Sequence, residues 1–344
     1  MAHLFWCPWQ AFAVKFSPYP CLPDELLAVA TGQHFGMAGN GRVHVLRLSD
    51  ASGFTEVSSF YAQEAVFDVA WSEACEHHLV GVCGDGAVLL WDMRATDGRP
   101  IGRWKDHSQE VVGVAWALGA RSLFATASWD GAVRLYDASR PGGGGAVAAL
   151  TGHTGAVNSV EWHPVHAHTL ASGGAGAEVC VWDARVGAGG PALRVIFHGA
   201  AGDILSLDWN RYREHDVLVG GADGAVRAWD VRRTRTPTHI MAGHALPVRR
   251  VRCSPHEASV VASASYDFSV CLWDIGDTAA LQGALVQRAS HHREFATGVD
   301  WALFRPGIVA SCGWDRAVVA WRPAASAPPA LPPRPLPPLA QLPP

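Results

Sequence analysis

The chain has 344 residues, 49% hydrophobic and 17% charged, with a formal net charge of −4. That composition excludes a disordered polymer, and a charge so near zero gives no electrostatic case for a nucleic-acid partner. No apolar run approaches the ~18 residues of a membrane span. Residues 1–16 lack a basic region and are interrupted by Lys15, so no secretory leader is expected. The eight cysteines lie far apart with no C-x-x-C pair. A zinc knuckle and a dithiol redox motif are therefore not written here, and reduced, mostly buried thiols of a cytosolic chain are expected.

The 15 tryptophans have a rhythm. After a degenerate first unit ending at Leu46, short runs close on Trp91-Asp92, Tyr136-Asp137, Trp182-Asp183, Trp229-Asp230, Trp273-Asp274 and Trp321-Arg322. The spacings are 45, 45, 46, 47, 44 and 48 residues, which makes seven units. Within each, a Gly-His or lone His (His107, His153, His198, His244, His291-His292) precedes an alternating run that ends near an aromatic. Trp71, Trp116, Trp162, Trp209 and Trp301 are those ends. A run of Ala, Ser and Val follows, then a turn such as Ser128-Trp129-Asp130 or Ser265-Tyr266-Asp267, then the Trp-Asp strand and a short fourth. Period-two alternation between Gly/Asp turns predicts strands, and helical periodicity is absent.

Such repeats resemble the WD-repeat family over roughly 10–322. The resemblance implies an all-β fold, a seven-bladed WD-repeat β-propeller of four-stranded blades around a channel, spanning 1–322. Residues 323–344 are expected to form a proline-rich disordered tail. Proline cannot donate to a sheet ladder, so the last blade's outer strand is expected from residues 3–9 rather than from the C-terminal end. The tail carries Pro329-Ala-Leu-Pro332-Pro-Arg334, a form that Src-homology-3 domains read, although a solvated linker is the plainer reading.

Seventeen histidines with many serines and aspartates allow a hydrolase triad on paper. A structural account serves better: His107, Ser128 and Asp130, or His244, Ser263, Asp267 and Trp273, share one hydrogen-bond network per blade. The fourth unit has Gly176 and Ala177 where an Asp belongs, so its network should be weaker. His77-His78, His291-His292 and the set His163, His166, His168 lack partners at ligand spacing. Gly36 to Gly41 imitates a phosphate loop but no helix follows. No catalytic residue, metal or cofactor is expected.

Further segments narrow the family. Phe12-Ala-Val-Lys-Phe-Ser-Pro18, the run from Leu27 to Gly36, Phe67-Asp-Val-Ala-Trp-Ser-Glu73 and His291-His-Arg-Glu-Phe-Ala-Thr-Gly298 do not follow from the repeat. Together they resemble the peroxin-7 family of receptors for the type-2 peroxisomal targeting signal, its plant members above all. The proline tail departs from that pattern. The resemblance implies a cytosolic import receptor that cycles to the peroxisome with cargo. Its partners would be cargo proteins bearing the signal, the long form of the peroxin-5 co-receptor and peroxisomal docking proteins. A chain ending in Gln-Leu-Pro-Pro is not expected to carry its own matrix signal.

The implied ligand, Arg/Lys-Leu-x5-His/Gln-Leu, puts a basic stripe beside an apolar one when helical. Its receptor needs acids next to aromatics. On register, Glu64, Asp68, Glu110, Asp203 and Glu294 stand near the starts of inner strands, and Trp129, Tyr266 and Trp314 in the turns of the same face. These eight are the candidate peptide-binding residues. Two or three charge-assisted bonds and two part-buried leucines give about 6–15 kcal/mol gross. Ordering the peptide costs about 2–5 kcal/mol, and association costs more, so a ternary complex with the co-receptor is expected. The rival reading is a substrate adaptor of a cullin-type ubiquitin ligase, from the W-D-x-R runs ending at Arg94, Arg185 and Arg232.

Overall fold

Every propeller blade leaves the N–H groups of its inner strand facing the channel, where no fifth strand satisfies them. This chain meets that demand with polar residues set into otherwise apolar strands. The computed structural model describes residues 2–140, 144–186, 190–191, 193–196 and 202–323. Seven four-stranded antiparallel sheets form the blades. In chain order the blades cover 10–62, 66–104, 111–151, 157–196, 204–242 and 248–289; blade 7 joins 296–321 to the N-terminal strand His3–Trp6. That strand runs antiparallel to Ala317–Trp321, with His3 opposite Ala320 and Trp6 opposite Ala317. The proline-rich segment from 324 onward and the His198-Gly199 pair lie outside the described residues.

Among the described residues the core is seven apolar clusters, each packed between two neighbouring blades. Trp91, Tyr136, Trp182, Trp229 and Trp273, the aromatics that set the repeat, are among the largest fully buried side chains. Around the channel each blade hands an acceptor to the next. Ser159 Oγ accepts the Leu207 N–H at 3.2 Å and Ser206 Oγ that of Val251 at 3.1 Å. Asp208 Oδ2 accepts Cys253 N–H at 2.8 Å, and Asp300 Oδ2 accepts Phe16 N–H at 2.7 Å. Such bonds answer the desolvation cost of a buried N–H, about 1–3 kcal/mol each.

The lower end of the channel is ringed by indoles. Trp71, Trp162, Trp209 and Trp301 each donate Nε1–H to a carbonyl of the preceding blade: Lys15, Ala115, Glu161 and Arg252, at 3.0, 3.1, 3.4 and 3.3 Å. Trp116 instead donates to Arg121 within its own blade, at 2.5 Å. Among the described residues, no helix is long and apolar enough to cross a membrane.

Candidate functional site

The upper face is made by the loops entering the inner strands and the turns between second and third strands, because the register pairs the start of one with the end of the other. Val111 faces Ser128, for example, and Ile204 faces Gly221. Hydrogen-bond networks fix these loops. In blade 6, Trp273 Nε1–H donates to Ser263 Oγ at 2.8 Å, Ser263 Oγ meets His244 Nε2 at 2.8 Å, and His244 Nδ1 meets Asp267 at 3.0 Å. This chain of bonds orients the ring from hydroxyl to carboxylate. Burial would raise the Asp267 carboxyl, but the His244 ring and Ser269 hold it well below the usual range. In blade 3 the hydroxyl partner of His107 is Thr126, at 2.8 Å, and not the expected Ser128, which caps the Asp130 N–H instead.

Blade 4 corrects the sequence reading. Glu178, two residues beyond the missing Asp position, reaches back to His153 Nδ1 at 3.1 Å and to the Thr154 N–H at 3.0 Å. Ser172 and Trp182 complete a network equal to that of blade 6. One network per blade, however, is too generous. Blades 2 and 5 place Gly81 and Val219 where Ser263 stands, opposite the same neighbours in register.

A bulge near the start of every inner strand, at its third residue in blade 1 and its second in the others, then re-aims one side chain per blade. The bulged residues are Phe12, Phe67, Val112, Asn158, Leu205, Arg249 and Thr297. Phe12 and Phe67 pack edge-to-face at 5.2 Å and begin an aromatic wall. Phe12 meets Trp314 at 6.2 Å, and Trp314 meets Phe35 at 5.2 Å and Phe295 at 4.9 Å. Phe295 stacks on Tyr266 at 4.6 Å and lies 5.8 Å from Phe268. Seven rings thus run without a break over blades 6, 7, 1 and 2. Phe35 is 44% and Phe268 39% exposed.

Two of those rings are held in strain. Phe35 and Phe268 have φ of 58° and 69°. Phe268 occupies the turn position taken elsewhere by Gly86, Gly131 and Gly224, all at positive φ. A non-glycine residue there costs about 1–3 kcal/mol, and Ala177 and Arg316 take the same turn position in blades 4 and 7 at φ of 58° and 71°.

The structure sorts the eight expected residues. The carbonyls of Glu110 and Asp203 accept equivalent turn N–H groups, from Trp129 and Ala222, so the two acids share one register as expected. Glu64 and Glu294 share the register one residue earlier. None of the four forms an ion pair among the described residues; Asp203 Oδ1 accepts the Gly176 N–H at 3.0 Å. Tyr266 and Trp314 join the aromatic wall, 6.5 Å apart. Trp129 stands apart over blades 3 and 4, donating to Asn158 Oδ1 at 3.0 Å. Asp68 differs from the other acids in its setting: only 1% exposed, it pairs with Arg250 at 3.2 Å and accepts the Val114 N–H. Sequence reading missed Phe12, Phe35, Phe67, Phe268 and Phe295. Their signal was present, as aromatic residues at turn and strand-start positions that most other repeats fill with non-aromatic ones.

His153, Glu178 and Cys180 bring ligand-type atoms within 4.8 Å of one another, but both His153 ring nitrogens are engaged in the blade 4 network. Arg94, Arg185 and Arg232 each fold back on their own Asp, at 2.7, 2.6 and 2.8 Å. The W-D-x-R pattern is thereby explained as a turn clasp.

The fold is that of a WD-repeat propeller with an aromatic wall over one mouth of its channel. Residues 98–137, 144–183, 191–230 and 235–274 match the family described as WD domain, G-beta repeat. Over 315 residues the chain is 41% identical to the Peroxisomal targeting signal 2 receptor of Mus musculus, covering 91% of this chain and 94% of that one. It is 39% identical over 321 residues to Peroxisome biogenesis protein 7 of Arabidopsis thaliana, covering 93% and 97%. The receptor of Dictyostelium discoideum is 37% identical over 299 residues, covering 87% and 90%. The chain belongs to the peroxisomal targeting signal 2 receptor family.

Proposed function

We propose that this chain is an import receptor that binds Arg/Lys-Leu-x5-His/Gln-Leu peptides at the N-termini of cargo proteins and delivers them to the peroxisome. The observation that carries the reading is the aromatic wall across blades 6, 7, 1 and 2, with acids that have no ion pair around the same mouth. A helix laid over the mouth sets its two leucines on Phe35, Phe268, Phe295 and Trp314. Its basic stripe turns toward Glu110 and Asp203 in blades 3 and 5, with Glu64 and Glu294 at the flanks. This is helix-in-groove recognition, and the strained phenylalanines are apolar anchors set in advance.

The wall is open on its solvent side, so a bound helix keeps half of its apolar stripe in water. The long form of peroxin-5 is the partner that covers it, and docking proteins receive the complex at the peroxisome. The receptor starts in the cytosol, cycles with cargo and performs no catalysis. Residues 323–344 are a proline-rich stretch that follows the 1–322 propeller in sequence.

Fluorescence anisotropy of a labelled Arg-Leu-x5-His-Leu peptide tests the reading, with and without the co-receptor's binding segment and against a peptide whose Arg is replaced by Asp. Salt-sensitive binding that tightens with the co-receptor and disappears in the control is expected. A folded protein that binds in neither condition overturns it.

A further inference from the structure

The lower mouth of the channel holds a second constellation that the upper face does not use. Residues from all seven inner strands line a cavity of about 160 Å³, well under the ~300–1,000 Å³ of small-molecule sites and of a size for one side chain. Its wall is the ring of Trp71, Trp116, Trp162, Trp209 and Trp301, and Pro18, Leu118 and Leu303 belong to its lining. Its charged lining is Lys15, Glu73, Glu161, Asp208, Arg211, Arg252 and Asp300, four acids against three bases.

Charge is unevenly met there. Glu161 pairs with Lys15 at 3.6 Å and with Arg252 in closer contact. Asp208 and Asp300 lie only at 3.6 and 4.0 Å from the Arg252 guanidinium. Burial holds the carboxyls of Glu161, Asp208 and Asp300 above their usual range, although Lys15 acts to lower all three and Arg211 the two aspartates. A second, separate observation concerns Arg252. Its side chain is 7% exposed, yet Nε and Nη2 have no hydrogen-bond partner among the described residues. The cavity therefore lacks one cation and one acceptor.

We propose that the lower mouth is a socket for a lysine or arginine side chain presented by a partner polypeptide. A peptide residue supplies both missing groups together: its ammonium or guanidinium for the acids and the indole ring, and its own carbonyl for Arg252. A free inorganic or organic cation brings no acceptor, which selects the polypeptide source. Indole walls over an acidic floor favour a cationic guest through both ring faces and charge. The socket is separate from the cargo reading, because it opens at the opposite end of the channel.

The test is 19F NMR of the full chain labelled with 5-fluorotryptophan, titrated with acetyl-Gly-Arg-Gly-amide. Acetyl-Gly-Gln-Gly-amide and guanidinium chloride at equal ionic strength are the controls, and Trp-to-Phe variants assign the resonances. The expected result is a saturable shift of the lower-ring resonances with half-saturation near ~1 mM, leaving Trp129 and Trp314 unmoved. Asp300→Asn, which keeps an acceptor for the Phe16 N–H, should weaken it by at least about fivefold with an unchanged melting curve. A targeting nonapeptide bound on the upper face should leave the tripeptide titration in place. Equal shifts from the Gln peptide or from guanidinium chloride, or no saturable shift, overturn the proposal without touching the cargo reading. The comparison of the three titrants uses the unmodified protein, so it decides the matter even where a variant fails to fold.

Discussion

The two ends of the channel are built from the same seven inner strands and differ in almost everything else. At the lower end, the repeat places an indole in five blades, and four of these lock to the blade before. At the upper end, the bulged positions hold seven side chains of six types, and the turns above them carry strained aromatics. Uniform positions answer a need every blade shares, which is to satisfy edges and fill the gap to its neighbour. Variable positions answer a need that belongs to the whole ring. Here the chain accepts local strain and keeps Phe35 and Phe268 in water.

The largest test of that contrast is Trp301→Ala at the lower end. It should cost about 3–5 kcal/mol in urea unfolding through the cavity and the lost latch, while the protein that remains folded binds targeting peptide within about twofold of the parent. Protonation separates the ends with the opposite sign. His291 is held neutral under the upper face, its pKa pushed down to about 2 by burial and by His292; burial lowers His107 as well. Their contribution is complete above the unfolded value of ~6.5 and is lost as pH falls, about 2 kcal/mol from His291 between pH 6.5 and 5. The lower carboxyls are raised, so their term instead declines as pH rises from ~4 toward their folded values. Urea midpoints against pH should fall on the acid side, and less steeply in His291→Asn; an equal slope in that variant breaks the assignment.

Trp314→Ala comes next, because Trp314 touches Phe12, Phe35, Tyr266 and Phe295. Peptide affinity should drop at least about tenfold, near 1.4 kcal/mol or more, with the melting curve showing a folded protein. Phe268→Gly sharpens the strain argument. Losing an aromatic contact worth about 0.5–1.5 kcal/mol is offset by relief of positive φ, so stability should stay within about 1 kcal/mol while affinity falls severalfold by anisotropy. The smallest effects belong to Glu110→Lys and Asp203→Lys. Each should weaken binding about three- to fivefold at low salt, and less at high salt, since these acids are exposed or half-buried. An unchanged affinity removes that acid from the site.

Much of this architecture was legible in the residues. The spacing of Trp91, Tyr136, Trp182, Trp229, Trp273 and Trp321 counts the blades, since a strand-turn-strand unit needs a fixed length before its next buried aromatic. Glu110 and Asp203 were placed in one ring by register alone, and the backbone bonds agree. Where repeats diverged, register was not enough. The fourth blade's network uses Glu178, because one more methylene and a shift of two residues reach the same imidazole, a substitution invisible to position matching. Asp68 sits one residue past a bulge, and the bulge turns it from the face into the channel toward Arg250.

By itself, then, the sequence determined what is local and periodic: strands, turns, seven units and the family to which they belong. Tertiary structure alone decided which side chains from distant blades meet. Phe12 and Phe295 are at opposite ends of the chain, yet both pack on Trp314, and Lys15 pairs with Glu161 across the channel. The reason is closure. Pairing His3–Trp6 with the last blade brings the two ends of a linear pattern together, and contacts across a ring depend on angles and bulges that no repeat period records.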